Sequence, residues 1–408
     1  MYIKRKLEQK LLDLSTSFPI VLITGPRQVG KTTFTKQIRE PSREYISLEA
    51  LNNRIFAIDE PDHFLETHKP PVIIDEIQYA PRLLSHILAY VEKHKNYGDY
   101  WLIGSNSLNP LKSILKGIVG RVCILNLFSL SHSEISEAFF NEYTTDVKKL
   151  MKRQKAVTPM LKQEAFERIL KGGMPEIYQD PPVTLQDYFD GYIRKHLFQD
   201  IKNLTQSDEI SFYKFMKICS YFASKQVDYT IISKRAGIAL KKAKEWITAL
   251  VSSGTIMLLQ PFSNSSFNKV VNTPKLYFID SGLLCYLRGI DNATELEHAA
   301  DSGDFFENYI VSEVFKSFAN TGKRPQLYYY KDDNNRKEID LVLEHNGVIY
   351  PIEIEESSNP DKRTIKSFSS IALAKKPNIR VGRGNIICNI SDIYHLGEDI
   401  WAVPHWFI

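Results

Sequence analysis

The stretch that most constrains this chain is Gly25-Pro26-Arg27-Gln28-Val29-Gly30-Lys31-Thr32-Thr33. An apolar run over residues 19–24 precedes it and reads as a buried strand, and a helical stretch opens at Lys31. Glycines there let backbone N–H groups wrap a phosphate, and the helix behind them turns its positive end toward it. The loop is therefore expected to cradle ATP. Lys31 is placed to reach the β- and γ-phosphates, and the Thr32 hydroxyl to hold Mg²⁺. The bland alternative is a glycine turn between a strand and a helix, and the full strand–loop–helix setting argues against it.

A second apolar run, Val72-Ile73-Ile74, ends in Asp75 and Glu76. In register behind such a loop, Asp75 would hold the magnesium through water. Glu76 would polarise the water that attacks the γ-phosphate. Residues 44–48 and 100–104 read as further strands. The latter ends in Ser105-Asn106, where Asn106 would sense the γ-phosphate, or else cap a helix over 108–119. Arg121 precedes a fifth strand over 122–127. Two readings of Arg121 stay open: a finger reaching a neighbour's nucleotide in a homo-oligomer, or a surface arginine packing on its own subunit. Together these elements predict an α/β, doubly wound P-loop ATPase core over residues 1–143, and the glutamate directly after Asp75 favours its AAA-like branch over GTPases and small-molecule kinases.

The remaining chain is long enough for further domains, since 408 residues leave room for two or three. A net charge of +4 creates no global basic field, so any nucleic-acid contact must come from a local patch. Cys123, Cys219, Cys285 and Cys388 lack metal-ligand or redox spacing and read as thiols of a reducing compartment. No apolar run approaches the ~18 residues that a membrane span requires, and residues 1–6 lead into a charged segment rather than an apolar signal core. A cytoplasmic location without a membrane partner is the expectation.

Beyond the core, residues 144–207 read as a helical connector, with a solvated helix over 144–165 and an aromatic helical stretch over 184–204. Helices over 209–224, 229–236 and 240–252, followed by strands over 255–259 and 275–279, predict a winged helix within 208–290. Lys241, Lys242 and Lys244 lie in its recognition position and suit phosphate contacts with double-stranded DNA. They equally suit a solvated face on a domain that docks a protein partner.

Residues 291–408 form a small α/β unit. Asp340 and Glu353 fall on two strands joined by the turn Asn346-Gly347, and Glu307 falls on a preceding helix. Three carboxylates so placed could share a second metal ion, as in a magnesium nuclease; a solvated acidic sheet face explains the same spacing.

Taken together, GPRQVGKTT, VIIDE, GGMPEIY, PKLYFIDSGLLCYL, GDFFEN and KEIDLVLE followed by YPIEIE resemble a prokaryotic AAA-type ATPase family. The C-terminal half of that family is a domain of unknown function with a nuclease-like end. The resemblance runs from residue 20 to about 356 in family order. It implies ATP binding and hydrolysis, a winged helix, and a domain similar to PD-(D/E)xK nucleases. Where relatives usually carry a lysine, this chain has Glu355, so efficient DNA cleavage is not expected unless Lys362 or Lys366 takes the vacant place. Three readings follow: an ATPase that controls its C-terminal module on DNA, a nucleotide-switched protein-interaction module, and an active restriction-like nuclease.

Overall fold

The computed structural model describes residues 2–105, 120–198, 208–262, 273–331, 337–360, 368, 380–397 and 399–408. They form two compact units: residues 1–129 with 252–254 and 320–322, and the remainder of the chain.

The first unit is built on a five-stranded sheet: β1 (Ile20–Thr24), β2 (Glu44–Ser47), β3 (Val72–Asp75), β4 (Tyr100–Ile103) and β5 (Val122–Asn126). All pairings are parallel and the order is β2-β3-β4-β1-β5. Parallel strands covered on both faces must be apolar throughout, which is why β1, β3 and β4 are continuous apolar runs with every residue buried. Ile20, Val21, Leu22 and Ile23 are fully shielded, each contributing about 1.5–3 kcal/mol of burial. Helices α1 (Leu7–Ser15), α2 (Lys31–Ile38), α3 (Leu51–Asp59), α4 (Pro61–Thr67) and α5 (Leu83–His94) accompany the sheet. Phe64, Leu83, Leu84 and Ile87 close the core against Ile46, Ile74 and Leu102. β4 lies between β1 and β3, so the glycine loop and the Asp75 turn face each other across one intervening strand at the carboxyl edge, where open α/β sheets bind ligands.

The second unit carries a nine-stranded sheet. Its strands are β6 (Ile256–Pro261), β7 (Lys275–Phe278), β8 (Gln326–Lys331), β9 (Glu338–His345), β10 (Val348–Glu355), β11 (Arg380–Val381), β12 (Gly384–Cys388), β13 (Tyr394–Gly397) and β14 (Ile400–Pro404). Asn346 and Gly347 both adopt positive φ, the geometry that a tight β9–β10 hairpin demands. Helices Glu209–Ser220, Tyr229–Ala236 and Leu240–Ser252 precede the antiparallel β6–β7 hairpin in the predicted order, the first ending at Ser220 rather than at 224. Each of the first two is capped by an aspartate, Asp208 or Asp228, that accepts a backbone N–H of the first turn.

Two features were not foreseen. Residues 223–227 bond along the outer edge of β7 through Ser224, Lys225 and Val227, as two isolated bridges rather than a further strand. On its other side β6 pairs in parallel with β8, so the hairpin belongs to the same sheet as the C-terminal strands.

The solvated helix expected over 144–165 is corrected. One helix, Val147–Gln154, stands there and a second, Lys162–Lys171, begins there, and Val147, Leu150, Arg153 and Ala165 are buried. Pro159 disfavours helical backbone at Thr158, and the Arg153 guanidinium is consumed by the carbonyls of Asn141, Glu142 and Phe407. The stretch from 184 is helical over Leu185–Tyr192 and continues as a π-helical turn, Ile193–Leu197; residues 199–207 lie outside the described residues.

Candidate functional site

Gly25 has φ +152°, and a Cβ there would sit 1.9 Å from the Leu127 carbonyl oxygen, so only glycine fits between β1 and the end of β5. Gly30 caps α2 in the left-handed region at φ +89°. Between them the loop turns through Gln28, also at positive φ. The Arg5 guanidinium braces this loop by donating to Val29 O at 3.2 Å and Phe128 O at 2.5 Å. Lys31 is buried, and its ammonium donates to the Gly25 and Pro26 carbonyls at 3.0 and 2.7 Å. A phosphate competes well for that ammonium, because its negative charge adds Coulomb attraction that a neutral carbonyl acceptor lacks.

Across β4, the Asp75 carboxylate is held at three points. Its Oδ1 accepts the Glu76 backbone N–H at 2.9 Å. Its Oδ2 accepts the Thr32 hydroxyl at 2.6 Å and the Tyr45 hydroxyl at 2.8 Å. With its proton committed to Asp75, the Thr32 oxygen has lone pairs left for a cation. A hydroxyl and a carboxylate are the hard oxygen donors that Mg²⁺ takes, so the residues present fit the ion.

Glu76 leaves β3 in a left-handed conformation, φ +59°, ahead of a short 3-10 turn, Ile77–Tyr79. A non-glycine residue there is strained by about 1–3 kcal/mol, a departure that clusters at functional sites. Burial pushes its carboxyl pKa up, the Asp75 charge adds to the rise, and Arg27 and Lys31 oppose it. The Gln78 side-chain amide donates to Glu76 Oε2. A carboxylate between an acid and two cations, at the mouth of a phosphate loop, is a candidate base for activating water.

Of the remaining expected site residues, Asn106, Lys362, Lys366 and the helix over 108–119 lie outside the described residues. Arg121 is half exposed and ion-paired with Glu92 of α5 within its own chain. Lys241 and Lys244 are exposed; Lys242 lies over the Trp246 ring at 4.9 Å and Lys244 over Tyr229 at 5.8 Å.

The acidic cluster of the second unit needs correction. Glu307 and Asp340 do converge, but around the ammonium of Lys275, at 3.2 and 3.7 Å, with Glu338 at 2.6 Å. Lys275 is 4% exposed and comes from β7. Glu353 lies buried beside Ile352, which pairs with Leu341, the residue after Asp340. Among the described residues, no group of three or more His, Cys, Asp or Glu side chains is arranged to hold a metal ion. Burial and the Asp340 charge raise the Glu307 pKa to about 8, against Lys275 and a hydrogen bond from the Tyr277 hydroxyl. Burial penalises the charge on Lys275, yet Glu307, Asp340 and Glu338 hold its pKa above the ordinary value.

Sequence reasoning passed over Arg5, Tyr45, Gln78 and Lys275. The signal for Gln78 was its place two residues past Glu76 on the same turn. For Lys275 it was a lysine opening an otherwise apolar strand.

Three family models match successive parts of the chain. Residues 17–136 match the model described as an AAA domain; residues 162–294 and 302–408 match two domains of unknown function, DUF8612 and DUF4143. Two uncharacterized proteins, Mb2031c of Mycobacterium bovis and Rv2008c of Mycobacterium tuberculosis, are each 24% identical over 396 residues, covering 95% of this chain and 80% of theirs. Among solved structures, the Walker-type ATPase paby2304 of Pyrococcus abyssi aligns with a TM-score of 0.43 at 13% identity, over 70% of this chain and 96% of that one. Thermotoga maritima RuvB T158V aligns at 0.27 and 16%, over 62% and 89%.

Proposed function

We propose that this chain, an AAA-type P-loop protein with a C-terminal domain of unknown function, binds and hydrolyses ATP with Mg²⁺ and uses the cycle to control its C-terminal half. The observation that carries the reading is the meeting of Thr32 and Asp75 at 2.6 Å beside the buried Lys31, in a sheet that brings their loops to one edge. Thr32 and Asp75 would hold the ion, which when bound neutralises charge on the phosphate oxygens. Lys31 and the backbone N–H groups of residues 25–33 would bind and orient the phosphates. Glu76 would take the proton of the attacking water, its raised pKa bringing it nearer the operating range of a base. Asn106 as a γ-phosphate sensor and Arg121 as a finger in trans remain proposals; the ion pair of Arg121 with Glu92 supports the packing role.

For the C-terminal half we adopt binding rather than cleavage. Lys275 supports that reading, because its ammonium stands among the carboxylates that a nuclease would give to metal. The partner is either duplex DNA, met by Lys241, Lys242 and Lys244 of a winged helix, or a protein. A nucleotide switch with little turnover is the second reading, favoured by the hydrogen bond that ties Glu76 to Gln78.

ATP binding and phosphate release, measured with and without DNA, test these readings. Lys31→Ala is expected to lose binding. Glu76→Gln is expected to keep binding and lose roughly 10²–10⁴ in turnover, the usual contribution of a general base. Wild-type turnover by Glu76→Gln would overturn the assignment of the base, and binding without turnover in the wild type would favour the switch.

A further inference from the structure

Tyr45 is the one aromatic hydroxyl bonded to the Asp75 carboxylate among the described residues, and nothing in the phosphate-loop motif calls for it. It sits in the middle of β2 opposite Ile73, two residues ahead of the Ser47–Asp75 pair. Its hydroxyl donates to the same oxygen, Oδ2, that accepts the Thr32 hydroxyl. Its ring is held from the other side, with the Lys36 ammonium of α2 3.7 Å from the ring centroid. Thr32 and Lys36 stand one turn apart on that helix. The phosphate-loop helix thus grips both Tyr45 and the carboxylate that Tyr45 touches.

We propose that Tyr45 is a positioning residue for the magnesium site: it fixes the Asp75 carboxylate so that Oδ2 stays engaged with Thr32 and the Thr32 lone pairs stay presented to the ion. This rests on the reading of the site as one for Mg²⁺ and a nucleoside triphosphate. The physical reason is orientational. A carboxylate side chain turns easily about its last bond, and one acceptor oxygen with a single donor defines its direction poorly. The backbone N–H of Glu76 fixes Oδ1, but that donor is adjacent in the chain and moves with Asp75. Thr32 gives Oδ2 one donor from outside that turn, and Tyr45 adds a second from β2, on a rigid ring with the Lys36 ammonium against it, so Oδ2 is fixed from two directions rather than one. Partners of this kind orient metal-binding groups, and their loss typically lowers metal affinity by about 10–100-fold.

The test uses the full chain and Tyr45→Phe, which keeps the ring and its contact with Lys36 and removes only the hydroxyl. A fluorescent ATP analogue is titrated in EDTA and in a series of Mg²⁺ concentrations, and Mn²⁺ binding is followed by electron paramagnetic resonance with and without ATP. The expected result is unchanged nucleotide affinity in EDTA, with the divalent-ion concentration for half-maximal binding raised about 10-fold or more, and Mn²⁺ affinity lowered to match. Tyr45→Phe with the wild-type Mg²⁺ and Mn²⁺ dependence overturns the proposal while leaving the ATP reading intact. Equal losses in EDTA and in Mg²⁺ would show a merely structural role and also overturn it. A wild type that binds nucleotide under neither condition overturns both.

Discussion

Replacing Lys275 by methionine removes the ammonium and keeps most of the side-chain length, so the loss it causes is chiefly electrostatic. Three carboxylates lie within 4 Å of that nitrogen, and among the described residues Glu338 has a second cation, Lys331 at 3.3 Å. Taking one partner from a buried ion cluster leaves uncompensated charge, a change that destabilises by about 3–5 kcal/mol. At roughly 2–4 °C per kcal/mol for a unit of this size, the melting temperature of the C-terminal unit should fall by roughly 6–20 °C. The loss should depend on pH in a definite direction. The folded pKa of Glu307, about 8, lies above its ordinary value, so its contribution to stability is complete below the usual carboxylate range and is lost as pH rises through about 8. Lys275 is the cation that opposes that rise, and the depression of Glu338 by Lys275 goes with it. The variant should therefore fall behind the wild type least near pH 5 and most near pH 9. Thermal unfolding across that range, with hydrogen exchange of peptides from β7, β9 and residues 302–319 at one fixed pH, measures both effects. A variant as stable as the wild type throughout, or a gap that narrows as pH rises, would refute the reasoning.

Two further outcomes follow from the geometry. Gly25→Ala should abolish nucleotide binding and lower the stability of the first unit, because its Cβ would be driven to 1.9 Å from Leu127 O at a positive φ; isothermal titration and a melt check both, and full binding would contradict the close approach. If the C-terminal half meets duplex DNA through the helix Leu240–Ser252, joint replacement of Lys241, Lys242 and Lys244 by alanine should weaken binding and reduce the salt slope by roughly 0.9 for each phosphate no longer neutralised, whereas unchanged binding would assign that helix to a protein partner.

The nucleotide core was legible because its signals are local. Gly25, Gly30 and Lys31 must follow a buried strand and open a helix, and Asp75 must end another, so spacing alone places them. Tyr45 was not legible: a tyrosine on a short strand reads as a core aromatic, and only the strand order brings its hydroxyl to Asp75. Lys275 escaped for a related reason. Its partners Glu307, Glu338 and Asp340 are all more than thirty positions away, on a helix and a different strand, and no periodicity links them. The helix pattern over 144–165 misled in the opposite way, since lysine-rich spacing suggested a solvated face where Arg153 is in fact buried against backbone carbonyls. The carboxylates of the C-terminal sheet were placed on the right elements, but which cation they hold depends on β7, whose company could not be read from its own residues.

The seam between β6 and β8 has a consequence for how the chain can be divided. It is two rungs wide, Gln260 with Tyr328 and Pro261 with Tyr329, closed by one more bond from Phe262 N to Tyr329 O. Beside this narrow ladder a charged rivet, Lys275, spans from β7 to β9, and Asn308 of the helix over residues 302–319 bonds both backbone groups of Phe278. Separating the pieces on either side of residues 290 and 291 would part the sheet along that ladder and bare two strand edges at once, each a template for unwanted pairing. The two stretches are thus tailored as one fabric, with the seam cut to fit both.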